Sequence, residues 1–346
     1  MAYTTIPKST DYFNTKLYTG NATGRTISGV GFQPDWSWIK NRSDTSGHRL
    51  LDAVRGATKE LISNATNAEA TEAQSLQSWN SDGFVLGTAA GVNANTNNFV
   101  SWNWKANGAG SANTDGSINT TYTSANTTSG MSIIKYTGTG SAGATIGHGL
   151  GIKPSMIIIK NLSTTQDWIV YTQSLTATKI LYLNQTGAFN DNNVFFNDTE
   201  PTTSLITLGS NSSVNGSGNS HVAYCFSDVQ GYSKQGSYIG NGSATSPPFI
   251  YLGFKPAFVL LKNTTQADSW FLHDSKRDGF NDDNEYLRPN LTAAESSGIN
   301  RIRLLSNGFS VPTTDKSHNV SGNVYIYMAF AENPFVSSTG IPATAR

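Results

Sequence analysis

Short apolar runs separated by polar, glycine-rich stretches characterise the whole chain. Three of these runs share one pattern, in which Gly-apolar-x-Pro precedes four mostly apolar residues and Lys-Asn. Proline lacks a backbone N–H, so it is best tolerated where a strand begins. Each copy therefore predicts a strand that opens at its proline. The defining residues are Gly31, Pro34, Lys40 and Asn41; Gly151, Pro154, Lys160 and Asn161; and Gly253, Pro256, Lys262 and Asn263.

The segments around each copy keep the same order. A Tyr-x-Gly segment precedes each copy, a Leu-x-x-Asn-x-Thr segment follows it, and an aromatic strand closes the unit. The closing strands end at Trp104, Phe226 and Phe330. Anchors at nearly constant spacing predict three tandem, homologous modules of roughly 100 residues, a normal size for a small domain. Short strands between polar turns predict an all-β fold, with each module a β-sandwich or jelly-roll-like unit.

The repeat also sets the expected boundaries. The segment between the first two modules is rich in Gly, Ser, Asn and Thr, a composition that favours a flexible linker. Residues 57–78 have the composition of a helix, but the Leu-x-x-Asn-x-Thr segment inside them favours a strand followed by a loop. The predicted parts are an N-terminal lead-in (1–12), module one (13–106), a linker (107–130), module two (131–230), module three (231–335) and a C-terminal tail (336–346).

Composition and charge exclude several classes of protein. The 346 residues include 23 Lys+Arg and 23 Asp+Glu, so the net charge is zero and no basic face is expected for a nucleic-acid partner. The apolar runs are too short for membrane insertion, and the start lacks the apolar segment of a secretory signal. The single cysteine, Cys225, lies in an apolar run and is expected to be a buried, inert thiol.

The motifs that could carry catalysis are weak. Gly138-x-Gly140-x-x-Gly143 matches the dinucleotide fingerprint by letter, but no helical segment follows it, so we expect a hairpin turn. The five histidines are scattered, and no nucleophile elbow is present. We therefore expect no catalytic residue and no cofactor. Asp282 and Asp283, in the polar loop 281–285, could hold a cation, although a solvated turn is the favoured interpretation.

A charged pair occurs in two of the three copies. Asp52 and Arg55 are three positions apart, as are Asp274 and Arg277, whereas the matching positions of module two are Thr172 and Leu175. A catalytic pair would be unusual in two copies of three. The pattern therefore favours a structural ion pair that fixes a turn.

Four tryptophans are candidate contacts for a ligand or an interface: Trp36, Trp38, Trp168 and Trp270. An exposed indole face stacks on sugars because it removes apolar C–H surface from water. The alternative, which we favour, is that aromatic residues at period two fill a sandwich core.

Module one resembles a module that is widespread in virion proteins of marine bacteriophages. The resemblance is carried by Gly31–Arg42, Leu50–Gly56, Ser81–Phe84 and Trp102–Ala106. It is partial in module three and weak in module two. Members of that family are tail-fibre, appendage or other particle-surface proteins, and the resemblance brings no catalytic residues with it.

The resemblance and the composition together imply a non-enzymatic virion structural protein, assembled in the bacterial cytoplasm and displayed on the particle surface. A tail fibre or appendage that contacts the host is the first hypothesis. Its expected partners are other virion proteins, copies of itself, most simply in a trimer, and a host-surface glycan. A capsid decoration or head-fibre protein is the alternative. A carbohydrate-binding module or a glycan depolymerase is a second alternative.

Overall fold

The computed structural model describes residues 4–277, 281, 285–298 and 300–336. The chain is nearly all β, which confirms the all-β part of the predicted fold class. Helical structure in these residues is confined to one 3₁₀ turn and two single-turn helices. The predicted C-terminal tail and the acidic pair Asp282-Asp283 fall mostly or wholly outside the described residues.

The first third of the chain forms a main sheet in the order β1-β9-β3-β4-β5-β6 and a small outer sheet in the order β2-β8-β7. Its elements are a 3₁₀ turn (Ser9–Asp11), β1 (Phe13–Thr19), β2 (Arg25–Ile27), β3 (Trp36–Asn41), β4 (Arg49–Asp52), β5 (Lys59–Ile62), β6 (Ala70–Thr71), β7 (Leu76–Asn80), β8 (Gly83–Leu86), α1 (Ala90–Asn93) and β9 (Asn98–Trp104). We call the main, six-stranded sheet the N-terminal sheet.

The middle sheet has the order β10-β11-β18-β13-β14-β15-β16, and its outer partner is the pair β12-β17. The elements are β10 (Tyr122–Asn126), β11 (Met131–Thr137), β12 (Ala144–Gly147), β13 (Met156–Asn161), β14 (Ile169–Thr172), β15 (Lys179–Tyr182), β16 (Asn190–Asp191), β17 (Leu205–Leu208), α2 (Ser212–Asn215) and β18 (Ser220–Phe226).

The C-terminal sheet has the order β19-β25-β21-β22, with an outer sheet β20-β24-β23. The elements are β19 (Ser233–Ile239), β20 (Phe249–Tyr251), β21 (Phe254–Asn263), β22 (Trp270–Asp274), β23 (Arg303–Leu305), β24 (Gly308–Ser310) and β25 (Val324–Pro334).

The three main sheets share a common register. The strand after each Gly-x-x-Pro segment pairs with the closing aromatic strand, so that Trp38 faces Trp102, Ile158 faces Tyr224 and Leu260 faces Met328. The glycines that begin the pattern all have positive φ, with values of 93°, 73° and 79° for Gly31, Gly151 and Gly253. Glycine has no Cβ and adopts this conformation without strain, which explains why all three copies start with it.

Each main sheet is covered on both faces. One face packs on its own outer sheet, which produces three separate apolar cores. The other faces of all three sheets meet in one shared core. There the ring of Trp36 lies 4.7 Å from that of Tyr224, and Phe258 lies 5.4 Å from Trp104. Because alternate residues of a strand point to opposite faces, every side chain of β3 and of β13 is buried.

Several local predictions are resolved by these elements. The segment 57–78 contains β5 and β6 rather than a helix, as expected from its leucine motif. The linker prediction is wrong for Tyr122–Asn126, which pairs with β11 along its full length. The hairpin prediction at Gly138–Gly143 is also wrong, because the strands on either side belong to different sheets. Pro34 and Pro154 precede their strands, whereas Pro256 lies at a bulge inside β21.

Candidate functional site

The four candidate tryptophans are all buried. Trp36, Trp38 and Trp168 are 0% exposed and Trp270 is 1% exposed. No indole face among them is open to a sugar, so the ligand hypothesis is wrong for these residues. They lie instead in the shared core, where the three main sheets contact one another. We call the three lines of contact between neighbouring main sheets the seams.

Trp168 and Trp270 each cross a seam with a hydrogen bond. The indole Nε1 of Trp168, in the middle sheet, donates to the carbonyl of Ile62 in the N-terminal sheet at 3.0 Å. Trp270, in the C-terminal sheet, donates to the carbonyl of Tyr182 in the middle sheet at 2.9 Å. Each acceptor carbonyl belongs to the residue directly after the leucine of a Leu-x-x-Asn-x-Thr segment. These two residues are therefore interface contacts inside one chain.

His48 holds the matching position on the third seam. Its Nδ1 accepts a hydrogen bond from Nε1 of Trp38 at 2.9 Å. Its neighbour across the seam is the carbonyl of Arg288, the residue after Leu287, although Nε2 does not meet hydrogen-bond geometry. Burial lowers the pKa of His48 well below its usual value, and the positive charge of Lys40 lowers it further.

The lysines of the three Lys-Asn pairs repeat this cycle. Nζ of Lys40 donates to the carbonyl of Thr292 at 3.3 Å, that of Lys160 to Thr66 at 2.9 Å, and that of Lys262 to Thr186 at 3.1 Å. Each acceptor is the threonine of a Leu-x-x-Asn-x-Thr segment in another sheet. The lysine of the N-terminal sheet thus donates to the C-terminal third of the chain, that of the middle sheet to the N-terminal third, and that of the C-terminal sheet to the middle third. The seams form a closed ring.

All three lysine side chains are withdrawn from water. Burial lowers the pKa of Lys40, Lys160 and Lys262 from the ordinary value to about 8. Their hydrogen-bond acceptors are main-chain carbonyls rather than carboxylates; Lys262, for example, also donates to the carbonyls of Asn263 and Asp268, both at 2.9 Å. A buried cation must be compensated by hydrogen bonds, so each lysine fixes the carbonyl geometry of its seam.

The asparagines of the same pairs shape the turns that bring the lysines to the seams. Oδ1 of Asn41, Asn161 and Asn263 accepts the backbone N–H two residues ahead, at 3.0, 2.8 and 3.0 Å. This is an Asx turn, which asparagine forms readily because its side chain imitates a backbone carbonyl. The sequence-defining Lys-Asn pairs are therefore structural.

Asp52 and Arg55 form a buried ion pair, as do Asp274 and Arg277. Nε of each arginine lies 2.5 Å from Oδ2 of its aspartate, and all four side chains are 0% exposed. Burial raises the pKa of Asp274, but the guanidinium of Arg277, together with hydrogen bonds from the backbone N–H of Lys276 and the indole of Trp102, holds the pKa below its usual value. The geometry agrees with the predicted turn-fixing role.

Each ion pair extends into a network across a seam. Oδ2 of Asp52 accepts from the hydroxyl of Tyr224 in the middle sheet at 2.7 Å. Oδ2 of Asp274 accepts from Nε1 of Trp102 in the N-terminal sheet at 2.9 Å. The arginines also contact a glutamate each, Arg55 with Glu69 at 3.2 Å and Arg277 with Glu295 at 2.7 Å.

The middle sheet replaces this network as a unit. The aspartate and arginine positions hold Thr172 and Leu175, and Phe189 stands where the glutamate would be. The closing-strand position that donates in the other two networks is Met328, whose side chain has no N–H or O–H to donate. Met328 belongs to the shared apolar core and Leu175 packs against it. At the seam between the middle and C-terminal sheets, apolar contact therefore replaces this network.

The seam between the first and last thirds of the chain carries an additional ionic contact. The guanidinium of Arg42 donates to both carboxylate oxygens of Glu295, through NH2 at 2.7 Å and Nε at 3.0 Å. NH2 also lies 3.2 Å from Glu285. A bidentate arginine–carboxylate contact fixes orientation as well as distance. Glu295 thus joins Arg42 of the N-terminal sheet to Arg277 of the C-terminal sheet.

Sequence reasoning missed the partners of the two aspartates and one buried histidine pair. Trp102 and Tyr224 occupy the same register position of their closing strands, a signal that was available but ambiguous. His273 and His318 have their Nε2 atoms 3.0 Å apart and are 0% exposed. Ser317 and His318 also touch, at 2.5 Å, but both are buried and lie in the C-terminal third.

Within the described ranges, no group of three or more His, Cys, Asp or Glu side chains is placed to hold a metal ion. The candidate cation loop at Asp282-Asp283 lies outside those ranges. Cys225 is fully buried, which confirms the predicted burial of the thiol, and burial raises its pKa to about 12. None of the helices described here has the length and apolar character needed to cross a membrane.

Comparison with known proteins gives one match. Residues 8–334 match a family described as a domain of unknown function, DUF7483. The chain belongs to the DUF7483 family. The match is continuous from the 3₁₀ turn before β1 to the end of β25, so the unit that defines DUF7483 includes all three main sheets and their seams. No curated protein and no solved structure matches the chain.

Proposed function

We propose that this DUF7483 chain is a non-enzymatic structural protein of a bacteriophage virion, built from three homologous tandem β-sandwich modules. It is assembled in the bacterial cytoplasm and displayed on the particle surface, as a tail fibre or appendage that contacts the host. The motif resemblance of module one to marine bacteriophage virion proteins supports the assignment to a particle.

The observation that carries the structural role is the closed ring of seams. The residues with catalytic or ligand-binding potential in the sequence are used to hold sheets together: the tryptophans, the lysines and the Asp/Arg pairs. Three outward-facing sandwiches on one fixed interior suit a body that displays surfaces. In this proposal, the partners of the chain are other virion proteins.

The proposed homotrimer is tested separately from the particle assignment. Symmetric trimers are common among fibres, and their interfaces bury edge strands. Here one chain already arranges three sheets around a shared core. Light scattering of the purified chain measures its mass in solution. A mass three times that of the 37.0 kDa chain supports the trimer, and a mass of one chain contradicts it.

Imaging of the source particle with a gold-labelled antibody to this chain tests the virion assignment. Label confined to the tail supports the fibre or appendage proposal. Label spread over the capsid contradicts it and supports the alternative, a decoration or head-fibre protein. Particles without label, alongside a positive control antibody to the major capsid protein, would overturn both.

A second candidate function is carbohydrate binding, favoured by two exposed aromatic residues on one strand. Phe249 and Tyr251 are 49% and 50% exposed, and as alternate residues of β20 they point to the same side. Two aligned aromatic faces are a platform on which sugars stack. We expect binding on an array of bacterial surface glycans to be lost in F249A/Y251A and kept in Y122A, whose tyrosine is 41% exposed elsewhere. Equal binding by both variants would refute this site, and release of reducing ends from a bound glycan would instead favour a depolymerase.

A further inference from the structure

Residues 117–126 cover one edge of the middle sandwich. They pair with the edge strand of each of its two sheets. Ile118 forms a parallel bridge with Ile146 of β12, its N–H bonding the carbonyl of Thr145 at 2.9 Å. Further along, β10 pairs antiparallel with β11, from Tyr122 opposite Lys135 to Asn126 opposite Met131. The same short segment therefore covers the edge strand of the main sheet and that of the outer sheet.

The corresponding edge of the N-terminal sandwich is not covered by such a segment. Within the part of the chain that the structure describes, the strand ladders pair β1 only with β9 and β2 only with β8. A cleft of about 290 Å³ lies between these two edge strands. In the C-terminal sandwich the edge of β19 is already partly occupied, because Val229 forms a bridge with Ser233 and the carboxylate of Asp228 accepts the N–H of Gln235 at 2.9 Å.

The residue at the cleft of the N-terminal sandwich is charged, whereas its counterpart in the middle sandwich is apolar. Ile134 of β11, opposite Ala223, is fully buried in the apolar core of the middle sandwich. By register, the same position in β1 is Lys16, opposite Ser101. Lys16 lines the cleft and is half-buried. In β19 the same position is Gly236, opposite Tyr327, which offers no charge.

We propose that the cleft between β1 and β2 is a docking site for an extended polypeptide strand of a partner, with a carboxylate side chain opposite Lys16. The partner strand would add to the edge of the sandwich as residues 117–126 do in the middle one, a mode known as β-strand addition. The middle sandwich supplies the geometry for the backbone, and Lys16 supplies the preference in charge. Arg25, which also lines the cleft beside Lys16, adds a second positive charge there.

The proposal goes beyond the virion assignment and does not depend on it. A lysine on an edge strand also has a purely protective role, since its charge discourages unwanted strand pairing. The two roles make opposite predictions for an acidic strand. A docking site binds it, whereas a protected edge binds no strand of either charge.

The probe is a fluorescein-labelled peptide of residues 115–126 in which Thr123 is replaced by glutamate. Thr123 lies opposite Ile134 in the β10–β11 pairing, so T123E places a carboxylate opposite the lysine position. The T123K peptide is the matched control. Titrated into the full chain and followed by fluorescence anisotropy, the T123E peptide should bind saturably and about tenfold more tightly than the T123K peptide.

A charge-reversed chain and a local readout make the test specific. In the K16E variant, the preference between the two peptides should invert. Hydrogen–deuterium exchange should slow in β1 when the T123E peptide binds, and stay unchanged in β11, which is already paired. The absence of saturable binding by either peptide, or a preference that survives charge reversal, would overturn the proposal and leave Lys16 with a protective role alone.

Discussion

The indole Nε1 of Trp102 lies 2.9 Å from Oδ2 of Asp274, although 172 positions separate the two residues. The hydroxyl of Tyr224 reaches Asp52 over the same separation. In both contacts the donor sits on a closing strand and the acceptor belongs to the turn-fixing pair of another sheet. The third donor position is Met328, where the aspartate is absent as well. Donor and acceptor are therefore either both present at a seam or both missing.

Removal of the Trp102 hydrogen-bond donor should lower the free energy of unfolding more than the same change of ring size at a tryptophan without a hydrogen bond. In W102F, the buried carboxylate of Asp274 loses a hydrogen bond, which costs about 1–3 kcal/mol. Trp104 is equally buried, but its Nε1 has no hydrogen-bond partner, so W104F is a matched control for the change of ring size. Urea unfolding measures both free energies. Equal losses in the two variants would show that the Trp102 hydrogen bond contributes nothing.

Replacement of the whole Asp52 network should cost less than the removal of one member. In R55L, the carboxylate of Asp52 stays buried without its cation, an arrangement that costs about 3–5 kcal/mol. The triple variant D52T/R55L/Y224M introduces the residues found at the seam between the middle and C-terminal sheets and leaves no buried charge at these positions. We expect it to unfold at a higher urea concentration than R55L. A triple variant less stable than R55L would contradict this account of the apolar replacement.

Acidification should weaken the chain through His48. Because burial lowers the pKa of His48 in the folded state, the unfolded chain binds more protons at this residue as the pH falls below about 6.5. Stability is therefore lost in the acid direction and is fully present above that pH. The free energy of unfolding, measured from pH 8 to pH 5, should fall more steeply for the wild type than for H48Q, whose side chain does not titrate. Parallel curves would exclude a contribution from His48.

Cys225 should react only when the chain unfolds. The thiol is 0% exposed, lies on β18 inside the middle sheet, and has a raised pKa. A reagent therefore cannot reach the sulfur, and little reactive thiolate forms. Iodoacetamide at pH 8 should leave the native chain unlabelled by mass spectrometry and modify it fully in urea. A variant with a cysteine at the exposed Ser217 provides the positive control. Rapid labelling of the native wild type would contradict the packing of β18.

The sequence carried enough information to predict the strands and the local turns. The glycine, proline and Lys-Asn positions act within their own strand or turn, so their spacing reflects local geometry. The Asp52–Arg55 pair is likewise local, with its partners three positions apart. These features follow from backbone sterics and short-range hydrogen bonds, which a repeated pattern reports directly.

The seams could not be predicted in the same way. Period-two aromatic residues such as Trp36 and Trp38 indicate a strand, but the pattern is the same whether the face meets solvent or another sheet. The Ser, Thr and Asn of residues 117–126 suit a free loop and a polar edge strand equally well, which explains the error in the linker. Which sheet Lys40 contacts depends on packing between distant segments, and one sequence contains no record of that choice.

The ring of seams also fixes an order of events during synthesis on a ribosome. Lys40 and Arg42 are translated 252 and 253 residues before their partners Thr292 and Glu295, and the partner of His48 lies in the same late segment. Until that segment has left the exit tunnel, the N-terminal sheet has one unclosed side and a nascent chain exposes part of the shared aromatic core. The segment from Glu285 to Glu295 is therefore what completes the fold of the N-terminal sheet.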